Sequence, residues 1–259
     1  MEASNTDKNL VDIIFPNYNK EEFLEEAINS VLDQTYKNWH LIIVDDCSTD
    51  NSKNIIDKYK NVKNITSIRL NKNKGPSFCR NYAMRISKSK YISFIDSDDC
   101  WMKTKLEKQI SFMEKNNLTF TYTDYIPFFE TNGKKIYKKS TSVKNFFKYK
   151  TFIKNSAINT TTMIIARSIL SNHKFKKIYL LEDYLFKCEL LRKKNVANKF
   201  NESLAYYRIL EKSRSSQKLK NIYWLWYINK NYNKLNFFHN IISIFSISIN
   251  SIKKYGGIK

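Results

Sequence analysis

The apolar residues fall into two rhythms. Short continuous runs at Val11 to Phe15, His40 to Val44, Ile65 to Leu70 and Lys90 to Ile95 have the length and content of buried strands. Between the first two, Phe23, Leu24, Ala27, Ile28, Val31 and Leu32 recur at the spacing of one helix face, predicting a helix from Glu21 to Leu32. The loop Asp45-Asp46-Cys47-Ser48-Thr49-Asp50 holds several helix N-caps and predicts a helix on to about Tyr59. Gly75-Pro76 breaks the chain before a helix from Ser77 to about Ser87, and Leu106 to Lys115 reads as another. Strands that are apolar throughout, alternating with helices, predict an α/β fold with a mainly parallel central sheet flanked by helices. Beyond that point the pattern loosens. Thr119 to Phe129, Thr160 to Ala166 and Ala205 to Ile209 predict strands from their β-branched and aromatic content. Leu180 to Leu191 predicts a helix with Glu182-Asp183 in its first turn.

In a sheet of this kind the ligand lies at the carboxyl ends of the strands. Here those ends carry Pro16-Asn17-Tyr18-Asn19, Asp45-Asp46 and Asp96-Ser97-Asp98-Asp99, which brings polar and acidic residues to one rim. Three carboxylates packed after an apolar strand repel one another unless a cation neutralises them. Mg²⁺ or Mn²⁺, held by one or two carboxylates plus substrate phosphates, suits that loop; a solvated acidic loop capping the next helix is the other reading. Asp46 can accept from a base N–H or a ribose hydroxyl, or it can cap a helix. Arg80, on the helix after Gly75-Pro76, can face a phosphate or the acidic loop, or lie exposed.

Composition narrows the chemistry. The chain has 259 residues, 42% of them hydrophobic, enough to bury a core. Four cysteines without a CxxC pair exclude a disulfide scaffold and a zinc ribbon, and three scattered histidines argue against a His-built metal site. Four glycines allow neither a GxGxxG nor a P-loop motif. The polar N-terminus gives no expectation of a signal peptide, and no run of about 18 apolar residues suggests a membrane-spanning helix. Charge is divided sharply. Residues 1–130 carry 18 basic and 19 acidic side chains, the rest 27 basic and 5 acidic, and no acid follows Glu211. A Lys-rich, Asn-rich composition explains part of the lysine count but not the loss of acids from one half. Such a half suits an anionic partner.

In order and spacing, Phe15-Pro-Asn-Tyr-Asn19, Ser30-Val-Leu-Asp-Gln-Thr-Tyr36, Ile42-Ile-Val-Asp-Asp-Cys-Ser-Thr-Asp-Asn-Ser52, Gly75 to Asn81 and Phe94-Ile-Asp-Ser-Asp-Asp99 resemble the family 2 glycosyltransferases of bacterial surface-polysaccharide type. The resemblance covers about the first 100 residues and is specific as a set. It departs from the family at Cys47, where glycine is usual after the double Asp. It implies the GT-A fold over residues 10–212, with residues 213–259 as a basic, aromatic helical extension. It implies an inverting, metal-dependent transfer of a hexosyl or N-acetylhexosaminyl group from a nucleotide diphosphate sugar, expected to be UDP-linked, to a hydroxyl on a glycan or lipid-linked acceptor. Pro16, Tyr18 and Lys20 would line the nucleotide pocket, with Tyr18 against the base. Asp46 would bind the base, Asp45 would support the ribose region and Arg80 would lie by the nucleotide. Asp96 would contact ribose or metal, Asp98 would be the main ligand of Mn²⁺ or Mg²⁺, and Asp183, rather than Glu182, would be the general base.

The aromatic, basic segment Lys220 to Lys234 and the run Phe237 to Ile252, broken only by His, Asn and Ser, suit helices lying on an anionic membrane, and equally helices packed on the domain or against a second copy. The first reading gives a cytoplasmic enzyme peripheral to the inner face of the membrane. A different class of protein, a non-catalytic basic binder of membrane or nucleic acid, would account for the charge. It leaves the acidic rim unexplained, and nucleic acid is not expected as a partner.

Overall fold

The computed structural model describes residues 9–141, 143–210 and 217–255. In chain order the elements are β1 (Val11–Asn17), α1 (Glu21–Leu32), β2 (Trp39–Asp45), α2 (Ser52–Asp57), β3 (Ile65–Arg69), α3 (Pro76–Ile86), β4 (Tyr91–Phe94), β5 (Cys100–Trp101) and α4 (Lys105–Lys115). There follow β6 (Phe120–Thr131), β7 (Lys134–Tyr137), β8 (Phe146–Phe147), α5 (Tyr149–Phe152), β9 (Ile164–Ala166), α6 (Glu182–Arg192), β10 (Ala197–Arg208), α7 (Lys218–Asn231) and α8 (Phe237–Tyr255).

One sheet runs through the domain in the order β3-β2-β1-β4-β9-β6-β10-β5, with β7 on β6 and β8 on β10. β3, β2, β1 and β4 are mutually parallel, while β9 lies antiparallel between β4 and β6. The four apolar runs are thus the parallel half. Thr160 to Ala166 divides into a 3₁₀ turn, Thr160–Thr162, and the three-residue β9. β10 begins eight residues before the strand expected at Ala205, because its first half pairs with β6 through two register shifts.

Alternation along β1 sends Val11, Ile13 and Phe15 to one face, where α1, α2 and α4 pack. Ile14 faces the other way, into the core shared with α3, α5 and α6. Pro16 sits inside this central strand without breaking it. Ile14 O accepts from Ile95 N, so Pro16, two residues on, faces the same side beyond the end of β4, where no ladder partner needs its missing N–H. The strand can therefore turn straight into the rim loop.

The expected boundary at 212/213 lies outside the described residues. The helices beyond it belong to the same body. Leu225 and Ile228 of α7 join the α3–α6 core, and the Tyr184 hydroxyl of α6 donates to Asn229 Oδ1 at 3.0 Å. Among the described residues no helix is long and apolar enough to cross a membrane.

Candidate active site

The rim is built by lacing loops together. Asn17, at the end of β1, donates through Nδ2 to Asp45 Oδ1 at the end of β2 (2.8 Å). The other Asp45 oxygen accepts from Ser48 N (3.2 Å), with Arg69 at 3.7 Å. Asp50 accepts from the backbone N–H groups of Glu21 and Ser52, so one carboxylate serves the first turns of α1 and α2. Asp46 is buried, and its two oxygens accept from Lys74 N and Gly75 N, both at 2.7 Å. That bidentate grip fixes the loop that enters α3, where Gly75 takes φ +84° with open space around it; the backbone angle calls for glycine there. Cys47, between these residues, takes φ +62°, the left-handed region that the usual glycine of this position suits.

Tyr18 stands 45% exposed on the β1 loop, free to receive a flat ring. Lys20, two residues on, reaches the acidic loop: its Nζ lies 2.7 Å from Asp98 Oδ2. Arg80 is buried on α3 and carries the longest-range connection of the site. It donates through one terminal nitrogen to Asp96 Oδ1 (2.7 Å) and through the other to Glu182 Oε1 (3.3 Å), while its plane lies over the Phe175 ring. One guanidinium thereby joins the end of β4 to the first turn of α6, 86 residues later in the chain.

A second bridge runs through adjacent threonines of the 3₁₀ turn. Thr160 Oγ1 donates to Asp183 Oδ2 (3.1 Å), and Thr161 Oγ1 donates to Asp99 Oδ2 (2.5 Å). Asp99 is buried and also accepts from Arg208 N. Burial, followed by the charges of Asp98 and Asp96, pushes its pKa well above the carboxylate range, against the pull of the Thr161 and Arg208 hydrogen bonds.

Asp183 occupies the first turn of α6, where the helix dipole favours negative charge. The residue before the helix, Leu181, takes φ +64°, a left-handed conformation that leucine rarely adopts and that turns the chain sharply into the helix. Lys187, four residues later and buried, donates from Nζ to Asp183 Oδ2 (2.7 Å) and to Ile158 O (2.7 Å). Burial works to raise the Asp183 pKa. The Lys187 ammonium outweighs it, with help from Arg80 and Thr160, and holds the group down to about 2. The carboxylate is ionised at neutral pH, yet its side chain is 36% exposed and open to an incoming hydroxyl.

Of the sequence-predicted residues, Lys20 pairs with Asp98 and Arg80 with Asp96, while Asp183 is tied to the same acidic loop through Glu182 on Arg80 and through the threonine turn on Asp99. Asp45 and Asp46 lie at the same rim, engaged with its loops. Thr160, Thr161, Lys187 and Arg208 were not anticipated. Only Lys187 had a sequence signal, its i,i+4 spacing from Asp183.

Asp96 and Asp98 fit a divalent cation. They are hard oxygen donors two residues apart, both reached by solvent, and the Lys20 ammonium already holds a positive charge against Asp98. Among the described residues no set of three or more His, Cys, Asp or Glu forms a complete metal cage. Two carboxylates completed by a substrate's phosphates need none.

A sheet of this topology, with an acidic loop after β4 and a carboxylate at the start of α6, defines a nucleotide-sugar transferase of the GT-A class. The profile of glycosyl transferase family 2 matches residues 12–178, and the chain belongs to that family. It is 33% identical over 248 residues to the putative teichuronic acid biosynthesis glycosyltransferase TuaG of Bacillus subtilis, covering 95% of this chain and 98% of that protein. It is 34% identical over 221 residues to WfgD of Escherichia coli, named as a UDP-Glc:alpha-D-GlcNAc-diphosphoundecaprenol beta-1,3-glucosyltransferase, covering 85% of each chain. The fold matches S. aureus TarS 1-349 in complex with UDP-GlcNAc, with TM-score 0.69 and 20% identity over 95% of this chain and 73% of that one. It also matches the mannosyltransferase PcManGT of Pyrobaculum calidifontis in complex with GDP-Man and Mn²⁺, with TM-score 0.68 and 11% identity over 96% and 75%.

Proposed function

We propose that this protein transfers a hexosyl or N-acetylhexosaminyl group, with inversion, from a UDP-sugar to a hydroxyl of a lipid-linked glycan, in the synthesis of a surface polysaccharide. The observation that carries the reading is the Arg80 bridge, which sets the carboxylate of α6 beside the acidic loop at the end of β4. The names of the B. subtilis and E. coli relatives support the acceptor class and the surface role.

On this reading Pro16, Tyr18 and Lys20 line the nucleotide side, with Tyr18 against the base. Asp45 supports the ribose region through the loops it ties together. Asp46, although it grips the Lys74–Gly75 backbone, would offer a remaining lone pair to a base N–H. Mn²⁺ or Mg²⁺ held by Asp98 and Asp96 would neutralise charge on the diphosphate. Lys20 would exchange its partner Asp98 for a phosphate oxygen as donor binds, and Arg80 would keep Asp96 oriented. The acceptor oxygen attacks the anomeric carbon on the face opposite the diphosphate. Its proton passes to Asp183 as the new C–O bond forms, and the bond from the anomeric carbon to the phosphate oxygen breaks with its electron pair leaving on UDP. The work takes place at the cytoplasmic face of the membrane, where a lipid-linked acceptor presents its sugar.

A panel of nucleotide sugars, scored by thermal stabilisation and slow hydrolysis with and without Mn²⁺, tests the donor class. A UDP-sugar at about 100 times its Kd should add about 2.7 kcal/mol of stability, with the larger shift in Mn²⁺. Stabilisation by no nucleotide sugar would refute the reading.

A further inference from the structure

The last helix is built inside out. The side chains that α8 turns toward the domain include Asn240 and Ser243, both buried, with half-buried Asn250. Each finds a partner: Asn240 Nδ2 donates to Trp226 O (3.2 Å), Ser243 Oγ to Ile153 O (2.5 Å) and Asn250 Nδ2 to Lys154 O (3.2 Å). Ile244 and Ile247 complete this inner face against the core. The outer face carries Phe237, Phe238, Ile241, Ile242, Phe245 and Ile252, between 45% and 74% exposed. A helix on a water-facing surface has the reverse arrangement. The apolar surface continues onto α7, where Trp226 meets Phe237 edge-on at 5.6 Å and Leu219, Ile222 and Tyr223 are exposed.

Charge identifies what covers it. Lys220 and Lys230 on α7 and Lys234 in the turn before α8 are exposed, and the sequence from 212 onward contains no acid. A second copy docked face to face would bring these lysines against their own kind with nothing to pair them. A bilayer with anionic headgroups answers both features, taking the aromatic and aliphatic side chains at the acyl boundary and the lysines at the phosphates. Position agrees. On α7, Trp224 lies 5.9 Å from the Tyr179 ring, three residues before Glu182, so the helix pair adjoins the entry to the base.

We propose that the outer face of α8, with the adjoining face of α7, docks the enzyme in the interfacial layer of an anionic membrane, lying on it without spanning it. This rests on the lipid-linked acceptor proposed above for its purpose, while the geometry stands on α8 itself.

The test is sedimentation of the full chain with vesicles of phosphatidylcholine alone or with phosphatidylglycerol. Binding should be strong to the anionic vesicles at low salt, weak to the neutral ones, and should fall as salt rises. Lys220→Gln/Lys230→Gln/Lys234→Gln should weaken anionic binding by roughly fivefold per lysine, on the order of a hundredfold in all. Phe238→Ser/Ile241→Ser/Phe245→Ser should weaken it at least about tenfold. Both variants should keep the wild-type thermal transition, since all six side chains are exposed. Equal binding to both vesicle types, or no loss in the apolar variant, overturns the proposal. So does a dimer that the apolar variant converts to monomer while vesicles bind neither form. Hydrolysis of UDP-sugar by the free enzyme reads the transfer chemistry separately: hydrolysis without vesicle binding sinks only the docking.

Discussion

Lys187 decides how Asp183 behaves. As the proposed general base, with its pKa held to about 2, Asp183 stays ionised across the working range, so the acidic limb of the rate profile should lie far below neutrality. Lys187→Met removes the largest opposing charge. The Asp183 pKa should then rise, and the acidic limb of kcat should move up in pH while UDP binding is kept. An unmoved limb would mean that Lys187 only packs. Cys47 offers a separate test of backbone strain. Relief of its left-handed conformation is worth about 1–2 kcal/mol, partly offset by roughly 0.5–1 kcal/mol of added chain entropy in glycine. Cys47→Gly should therefore raise Tm slightly in a thermal melt, and a clear fall would show that the thiol contributes more than the angle costs. The departure from the family at this residue was legible in the sequence; its cost was visible only in the backbone angle.

At the scale of elements, the bridge between β4 and α6 is the joint on which the site depends. Arg80→Met leaves buried Glu182 and the Asp96 carboxylate without their shared cation. Breaking a buried pair by removing one partner costs about 3–5 kcal/mol. Calorimetry should show a loss of that size together with loss of donor binding; a melt near wild type would mean that the bridge is dispensable. Asp98→Asn is the milder companion. It should keep the fold and lose most of the Mn²⁺-dependent gain in nucleotide binding, and titration with and without EDTA checks it. The parallel strands and their helices could be read from the sequence because each is continuous in chain and in pattern, and α1 keeps its expected bounds. The mixed half of the sheet beyond β4 was harder. β5 and β8 have two residues each, too few for a periodicity, and β10 bends through register shifts that erase its alternation. Arg80 was noticed as a candidate, but its bridge to Glu182 is a contact across 102 positions that no local pattern encodes.

The whole molecule is held at the opposite end of β1 by another carboxylate. Asp12 is buried and accepts from His40 on β2 and from Ser87, Lys88 N and Ser89 N in the turn between α3 and β4. Burial tends to raise its pKa, but the hydrogen bonds from His40, Ser87 and Ser89 pull it well below the usual range. A depressed carboxylate contributes stability that is present above its unfolded pKa of about 3.9 and is lost as pH falls through the folded value. Asp183 acts in the same direction. Buried Asp99, with its raised pKa, acts oppositely above pH 4, so the Asp12 signature lies below it: Tm should drop as pH falls below about 4, and Asp12→Asn should lower Tm at neutral pH and flatten that drop. That the chain's net charge of +21 comes wholly from the second half was evident from composition alone. That α8 turns an apolar face outward and a polar one inward was not, because Asn240 and Ser243 look like solvent-facing residues until their partners on Trp226 and Ile153 are seen.

The central claim is that Asp183 takes the proton of the acceptor in a transfer from a UDP-sugar. Turnover and UDP binding measured side by side for wild type and Asp183→Asn test it most directly. The account predicts binding within a few-fold of wild type and turnover lower by a factor on the order of 10²–10⁴. Turnover close to wild type, or binding lost in step with turnover, would contradict it.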